Sequence, residues 1–188
     1  MQRTAQAQFD ERAGSGRIYR GCLFCMGGME KKVVRTLAVL YPSLRAIAPE
    51  RLRIRREQGK VFEERVLLLP GYVFFESHEP ELSMKLSRQE HVLRLLTYPD
   101  GTWHLRGYDD AFARMLFREN GEIGFSQAVF DEGDRIHILS GFLKDYEGAI
   151  TRVNRRYRTV EVSLELQGKK VSMWLGYELV KKADEEEN

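Results

Sequence analysis

Long apolar runs are missing from this chain. A stretch such as Val66 to Leu69 is far short of the roughly 20 apolar residues that a membrane-spanning helix needs. The first sixteen residues are polar and carry no apolar core of the kind that directs secretion. Both absences point to the cytoplasm and to no membrane partner. Net charge is low as well, at +2 over 188 residues, so any affinity for nucleic acid has to come from local patches. Catalytic signatures are also lacking. There is no Gly-Lys-Ser phosphate loop, no His-Glu-x-x-His and no Gly-x-Ser-x-Gly elbow, and no carboxylate pair stands in a catalytic context. The expectation is a protein that is not an enzyme and uses no cofactor.

Cysteine is limited to two residues, Cys22 and Cys25, in a C-x-x-C spacing. Redox pairs of this spacing sit at a helix start, where the helix end lowers a thiol pKa. Residues 18–26 instead read as a strand, which sends positions three apart to opposite faces. A zinc site would need two more ligands, and His78, His91, His104 and His137 are scattered. Strand cysteines and no metal are expected; a thiol oxidoreductase is the competing enzyme reading.

What is present is pattern. Val33, Val34, Leu37, Ala38 and Tyr41 recur at helical spacing after Glu30, with Pro42 past the end. Ala46 to Ile54 is extended. Arg51 to Lys60 alternates basic and apolar residues around Gln58-Gly59, a charged hairpin. Val61 to Leu69 returns, Pro70-Gly71 breaks the chain, and Tyr72 to Phe75 is an aromatic strand. A short helix near Pro80 to Arg88, a strand at Val92 to Thr97 and a helix capped by Asp109-Asp110 follow, ending near Asn120-Gly121. From Phe130 the pattern is wholly β, with period-two runs at Arg135–Leu139, Gly148–Val153, Thr159–Leu166 and Lys170–Leu175. Turns fall at Asn154–Tyr157 and Gln167–Lys169. Short strands of this kind need closure to hide their edges, which means a small barrel of SH3-like size.

The fold class expected is α+β: an N-terminal α/β sandwich with an antiparallel sheet, a linker and a C-terminal β-barrel. The boundaries are a disordered tail at 1–17, a first domain at 18–120, a linker at 121–129, a barrel at 130–182 and an acidic tail at 183–188.

Two stretches carry a family resemblance. Leu69-Pro-Gly-Tyr-Val-Phe74 looks like the P-G-Y-V strand of the NusG family of transcription elongation and antitermination factors. The run Phe130–Gly148, with Gly133, Gly141 and Gly148, resembles the KOW motif of the same family. The resemblance spans about residues 18–182. The segments Arg152–Arg158 and Trp174–Val180 look most like the LoaP subgroup of specialised antiterminators. The chain departs from the family where Arg20-Gly21 stands at the usual Trp-Tyr of the first strand.

The resemblance implies an NGN-like domain that binds RNA polymerase through Phe24, Leu69, Pro70, Tyr72 and Phe74. A core role is the alternative for each of these aromatics. In the KOW barrel, Lys144, Arg152, Arg155, Arg156, Arg158, Lys169 and Lys170, with Tyr146 and Tyr157 between them, form a basic surface suited to nascent RNA, a hairpin above all. Arg53, Arg55 and Arg56 would lie along non-template DNA in the transcription bubble, or be simply solvated. The chain is read as a monomeric processive antiterminator. The alternatives are a general NusG factor whose barrel binds ribosomal or termination proteins, and a ribosome-associated RNA-binding protein.

Overall fold

A computed structural model describes residues 16–180. The tails expected at 1–17 and 183–188 lie outside the described residues, apart from Gly16 and Arg17. In chain order the elements are β1 (Tyr19–Cys25), α1 (Glu30–Leu40), β2 (Leu44–Ile47), β3 (Glu50–Glu57), β4 (Lys60–Leu67), β5 (Tyr72–Ser77), α2 (Leu82–Leu86) and β6 (Val92–Leu95). They continue with α3 (Tyr108–Arg118), β7 (Glu122–Ile123), β8 (Ser126–Phe130), β9 (Ile136–Ser140), a 3-10 helix (Phe142–Ala149), β10 (Ile150–Asn154), β11 (Thr159–Leu166) and β12 (Lys169–Leu179). The described residues form a mixed α and β structure with three sheets and few helices.

Two compact units are present. Of the described residues, the first comprises 16–49, Leu69–Gly121 and Leu166–Lys169; the second comprises Glu50–Leu68, Glu122–Glu165 and 170–180.

The first unit is built on the antiparallel sheet β2-β5-β1-β6. Alternation along β1 and β5 sends Leu23, Cys25, Val73 and Phe75 into one cluster with Val33 and Leu37 of α1 and Leu82 and Leu86 of α2. Val33 and Leu37 are four apart and share one helix face, which is why the sequence periodicity found this helix. Each fully buried aliphatic side chain contributes about 1.5–3 kcal/mol to this core. On the opposite face, Cys22 pairs in register with Phe74, and Phe74 meets Phe112 of α3 edge to face at 5.9 Å.

That second face also holds a buried ion cluster. Glu76 is 3% exposed. It accepts hydrogen bonds from Arg20 Nε at 2.9 Å and Arg45 Nη1 at 3.1 Å. Arg20 also reaches Asp110 at 3.1 Å, and Arg45 donates to the Phe117 carbonyl at 2.7 Å. The cluster ties β1, β2 and β5 to α3.

The start of α3 differs from the sequence expectation. Gly107, at φ 57, precedes the helix, and Asp109 and Asp110 lie inside its first turn rather than capping it. Their charge still favours the helix N-terminus. Asp109 is buried and accepts from the Tyr98 hydroxyl at 2.5 Å and the Gln167 amide at 2.9 Å, so it serves tertiary packing. The helix ends as expected: Asn120 and Gly121 both take positive φ, and the Gly121 amide caps the Leu116 carbonyl at 2.8 Å.

In the second unit β3 and β4 pair from Glu50↔Leu67 to Glu57↔Lys60, leaving Gln58-Gly59 as a two-residue loop with both φ positive, the type I′ geometry that suits a twisted hairpin. β7 adds to β3 in parallel. The five-stranded sheet runs β10-β11-β12-β8-β9, and its β12–β8 pair is parallel. Val160, Val162, Val171, Met173, Leu175, Tyr177, Ala128, Ile136 and Ile138 are among its buried positions. The segment 121–129, read from sequence as a linker, carries β7 and most of β8. Ser126 and Ala128 are buried there, and Ser126 Oγ accepts from the Leu143 amide at 3.0 Å. The strand expected from Gly148 starts at Ile150, because the chain before it winds into the 3-10 helix.

Candidate functional site

The Pro70-Gly71 break is held from inside. Glu30, 1% exposed in the first turn of α1, accepts the Gly71 amide at 2.7 Å, and the Gly71 carbonyl accepts the Cys25 amide at 2.7 Å. Gly71 has φ +87, and a Cβ there would lie 2.9 Å from the Phe24 ring. Only glycine satisfies both constraints. The turn thus sets Phe24 and Tyr72 side by side in register, edge to face at 5.4 Å, with the Arg94 guanidinium 5.2 Å from the Phe24 ring.

Phe24, Tyr72 and Phe74 share one face of the sheet, yet their surroundings differ. Phe24 and Tyr72 are half-buried and Pro70 is exposed, whereas Phe74 is fully buried under Phe112 and Leu69 is 3% exposed. Leu69 and Phe74 are therefore core residues, a correction to the apolar surface expected from sequence. The reason is α3, which covers the part of this face that holds Phe74. Phe24, Pro70 and Tyr72 remain available for contact.

Of the basic residues expected on the barrel, Lys144, Arg152, Arg155, Arg156, Arg158 and Lys170 are exposed in the second unit; Lys169, also exposed, groups with the first. They are not equivalent. Arg155 pairs with Asp134 at 2.9 Å and lies 4.2 Å from the Phe130 ring centre, which fixes it. Lys144 donates to the Ile138 carbonyl at 2.7 Å and stands 3.9 Å from Glu147, and Arg152 stands 3.9 Å from Glu161. Arg156 lies over Tyr157 at 5.6 Å. Arg158 holds φ 49 at the end of the turn, with its amide bonded to the Arg155 carbonyl at 3.3 Å.

The hairpin arginines sit among carboxylates of their own. Arg53 bonds Glu64 at 2.5 Å, and Arg55 pairs with Glu57 at 2.8 Å and lies 5.4 Å from the Phe62 ring. Within the second unit, β3 and the Asn154–Thr159 turn meet at a cleft of about 410 Å³. Arg51, Arg53, Ile54, Arg55 and Arg56 form one wall. Asn154, Tyr157, Thr159 and Trp174 form the other. The arginines expected to meet DNA thus share one space with aromatic and polar residues of the barrel, and none of the basic residues expected to meet RNA lines it. Sequence reasoning placed Arg51 in the basic hairpin but did not select Trp174 as a site residue. The signal for Trp174 was present: it alternates with buried Val171, Met173 and Leu175 on β12, so its ring is on the face opposite the core.

Cys22 and Cys25 are both free and buried in the first unit. Burial, then the nearby Cys25 and Asp109, push the Cys22 thiol up; burial, then Glu30, push Cys25 up to about 12. Thiolate is the attacking form, so native-state alkylation of Cys25 at pH 8 should be slower than that of an ordinary thiol by roughly a thousandfold. Timed iodoacetamide labelling read by mass spectrometry checks this, with the denatured chain as reference. Labelling of the native protein at the denatured rate would revive the oxidoreductase reading. Among the described residues no group of three or more His, Cys, Asp and Glu is placed to hold a metal. Nor is any helix there long and apolar enough to cross a membrane.

The described residues thus carry a half-exposed aromatic pair at a pinned turn and a cleft lined by arginines and two rings. Among curated proteins the chain is similar to NusG proteins. The chain is 27% identical over 143 residues to the transcription termination/antitermination protein NusG of Thermus thermophilus, a match covering 68% of this chain and 74% of that protein. It is 21% identical over 139 residues to the NusG of Borreliella burgdorferi, covering 69% and 74%. A solved structure described as domain interaction in Thermotoga maritima NusG aligns with 85% of this chain and 94% of that one, at 21% identity and a TM-score of 0.49. No family model matches the chain.

Proposed function

We propose that this chain is a NusG-type transcription factor that works as a processive antiterminator, of the specialised kind typified by the LoaP subgroup. The first unit binds RNA polymerase through Phe24, Pro70 and Tyr72. The second, a KOW-type barrel with the β3–β4 hairpin counted in it, binds a hairpin of the nascent RNA through the turn Arg155–Arg158, with Arg152, Lys144 and Lys170 beside it. Arg53, Arg55 and Arg56 contribute a contact to single-stranded DNA of the bubble. The observation that carries the reading is the match to a termination/antitermination protein over 143 residues. The half-exposed Phe24–Tyr72 pair supports the polymerase contact, because paired aromatic rings at a rigid turn are suited to seat a partner helix at little entropic cost.

Pull-down of bacterial core RNA polymerase by the full chain tests the polymerase half. Phe24→Ser with Tyr72→Ser removes two contact rings, each worth about 2 kcal/mol if they act as anchors, so capture should fall by more than tenfold while circular dichroism stays native. Equal capture by both proteins would reject this face as the docking surface.

A further inference from the structure

The cleft in the second unit sets the arginines of β3 against two aromatic rings. Arg51 Nε and Nη1 are buried, and no hydrogen-bond acceptor meets them among the described residues. Arg51 as a whole is half-buried and lines the cleft, so its charge is reachable from there, and buried N–H groups without an acceptor are costly enough to favour an anion beside them. Burial, and then Arg53, lower the Arg51 pKa, so the site already strains the charge it holds. On the other wall, the half-buried Trp174 ring stands outside the core of its own sheet, and Tyr157 is 41% exposed. Neither ring is needed to fill the interior, and both line the same space as the arginines. Rings for stacking and guanidinium groups for phosphate are what single-stranded nucleic acid requires, and every base offers a face to stack. The volume of about 410 Å³ is of the size that takes one base with its sugar and phosphate.

We propose that this cleft holds one unpaired nucleotide of a single-stranded segment, its base against Trp174 and Tyr157 and its phosphate on Arg51 and Arg56. The inference rests on the reading of the second unit as a nucleic-acid-binding module and gives that module a place for an unstacked base. The nucleotide can come from RNA, such as a bulge or loop beside a hairpin stem, or from single-stranded DNA; the cleft chemistry is common to both.

Titration of the full chain with 5′-labelled hexa-adenylate, as RNA and as DNA, tests the proposal. Anisotropy reads affinity and tryptophan emission reads stacking. An abasic hexamer of equal charge and a blunt RNA duplex serve as controls. Hexamer binding should quench emission, and Trp174→Phe should keep the affinity while removing that quench, because the other tryptophan, Trp103, lies in the first unit. Trp174→Leu should weaken binding by about tenfold or more, and Tyr157→Ala, on an exposed turn, by about fivefold. A preference for RNA over DNA assigns the source; equal affinity assigns a site indifferent to the sugar, and both agree with the proposal. Binding of the abasic hexamer as tight as that of hexa-adenylate, quenching by the duplex, or unchanged affinity in both ring variants would overturn it. Failure of every hexamer to bind while an RNA hairpin still binds would sink the cleft proposal and leave the RNA-binding reading standing. Hexamer binding with quench but no hairpin affinity would support the cleft and remove the hairpin.

Discussion

Replacing Arg156 and Arg158 with glutamate is expected to lower RNA-hairpin affinity by about a hundredfold at physiological salt and to flatten its salt dependence by about two units of slope. Each arginine on a phosphate releases counterions, so its loss removes about one unit of slope, and reversing the charge adds repulsion. Both side chains are exposed on a turn and neither is among the ion pairs of the described residues. Their substitution should therefore change stability by no more than about 0.5 kcal/mol. Arg155 is left in place because its pair with Asp134 and its contact with Phe130 make it a structural residue as well; a glutamate there would face Asp134 and confuse binding with folding. A salt series of hairpin binding for both proteins gives the slopes. Parallel lines would move the RNA contact away from this turn.

Glu76→Ala is expected to cost about 3–5 kcal/mol, enough to unfold the first unit of a marginally stable protein. The carboxylate stands between Arg20 and Arg45, whose side chains are each 12% exposed, and it accepts from both. Without it two nearly dry guanidinium groups lose their shared acceptor, and among the described residues Asp110, the Phe117 carbonyl and Asn120 remain as their hydrogen-bond partners. Glu76→Gln keeps the volume and one acceptor oxygen and should cost less. Urea unfolding followed by circular dichroism separates the three proteins. A loss for alanine below about 1 kcal/mol would mean that the arginines reach water when the carboxylate is gone.

Local order was legible in the sequence and tertiary cover was not. The α1 helix followed from Val33 and Leu37 on one face, and the hairpin from basic–apolar alternation around Gln58-Gly59, because both depend on periods and turn chemistry within a few residues. Phe74 was misplaced because alternation says which face a side chain takes, and only the packing of α3 decides whether that face is open. Asp109 was misread for a similar reason: an aspartate near a helix start caps it only if the backbone turns there, and Gly107 took that position. The cleft needed a contact that no local pattern announces. Gly176 on β12 allows it, since a Cβ there would stand 2.3 Å from the Phe125 ring and 3.1 Å from the Leu52 carbonyl of β3. The missing side chain is what lets the hairpin approach the sheet.

Transcription in vitro through an intrinsic terminator, with purified bacterial RNA polymerase and a template encoding a candidate RNA hairpin upstream, joins both contacts in one reading. A processive antiterminator should raise full-length product at terminators well downstream of the hairpin, only when the hairpin is encoded, and both the Phe24→Ser/Tyr72→Ser and Arg156→Glu/Arg158→Glu proteins should lose the effect. Read-through that is unchanged by the protein on every template, or that is the same with and without the hairpin and in both variants, would contradict it.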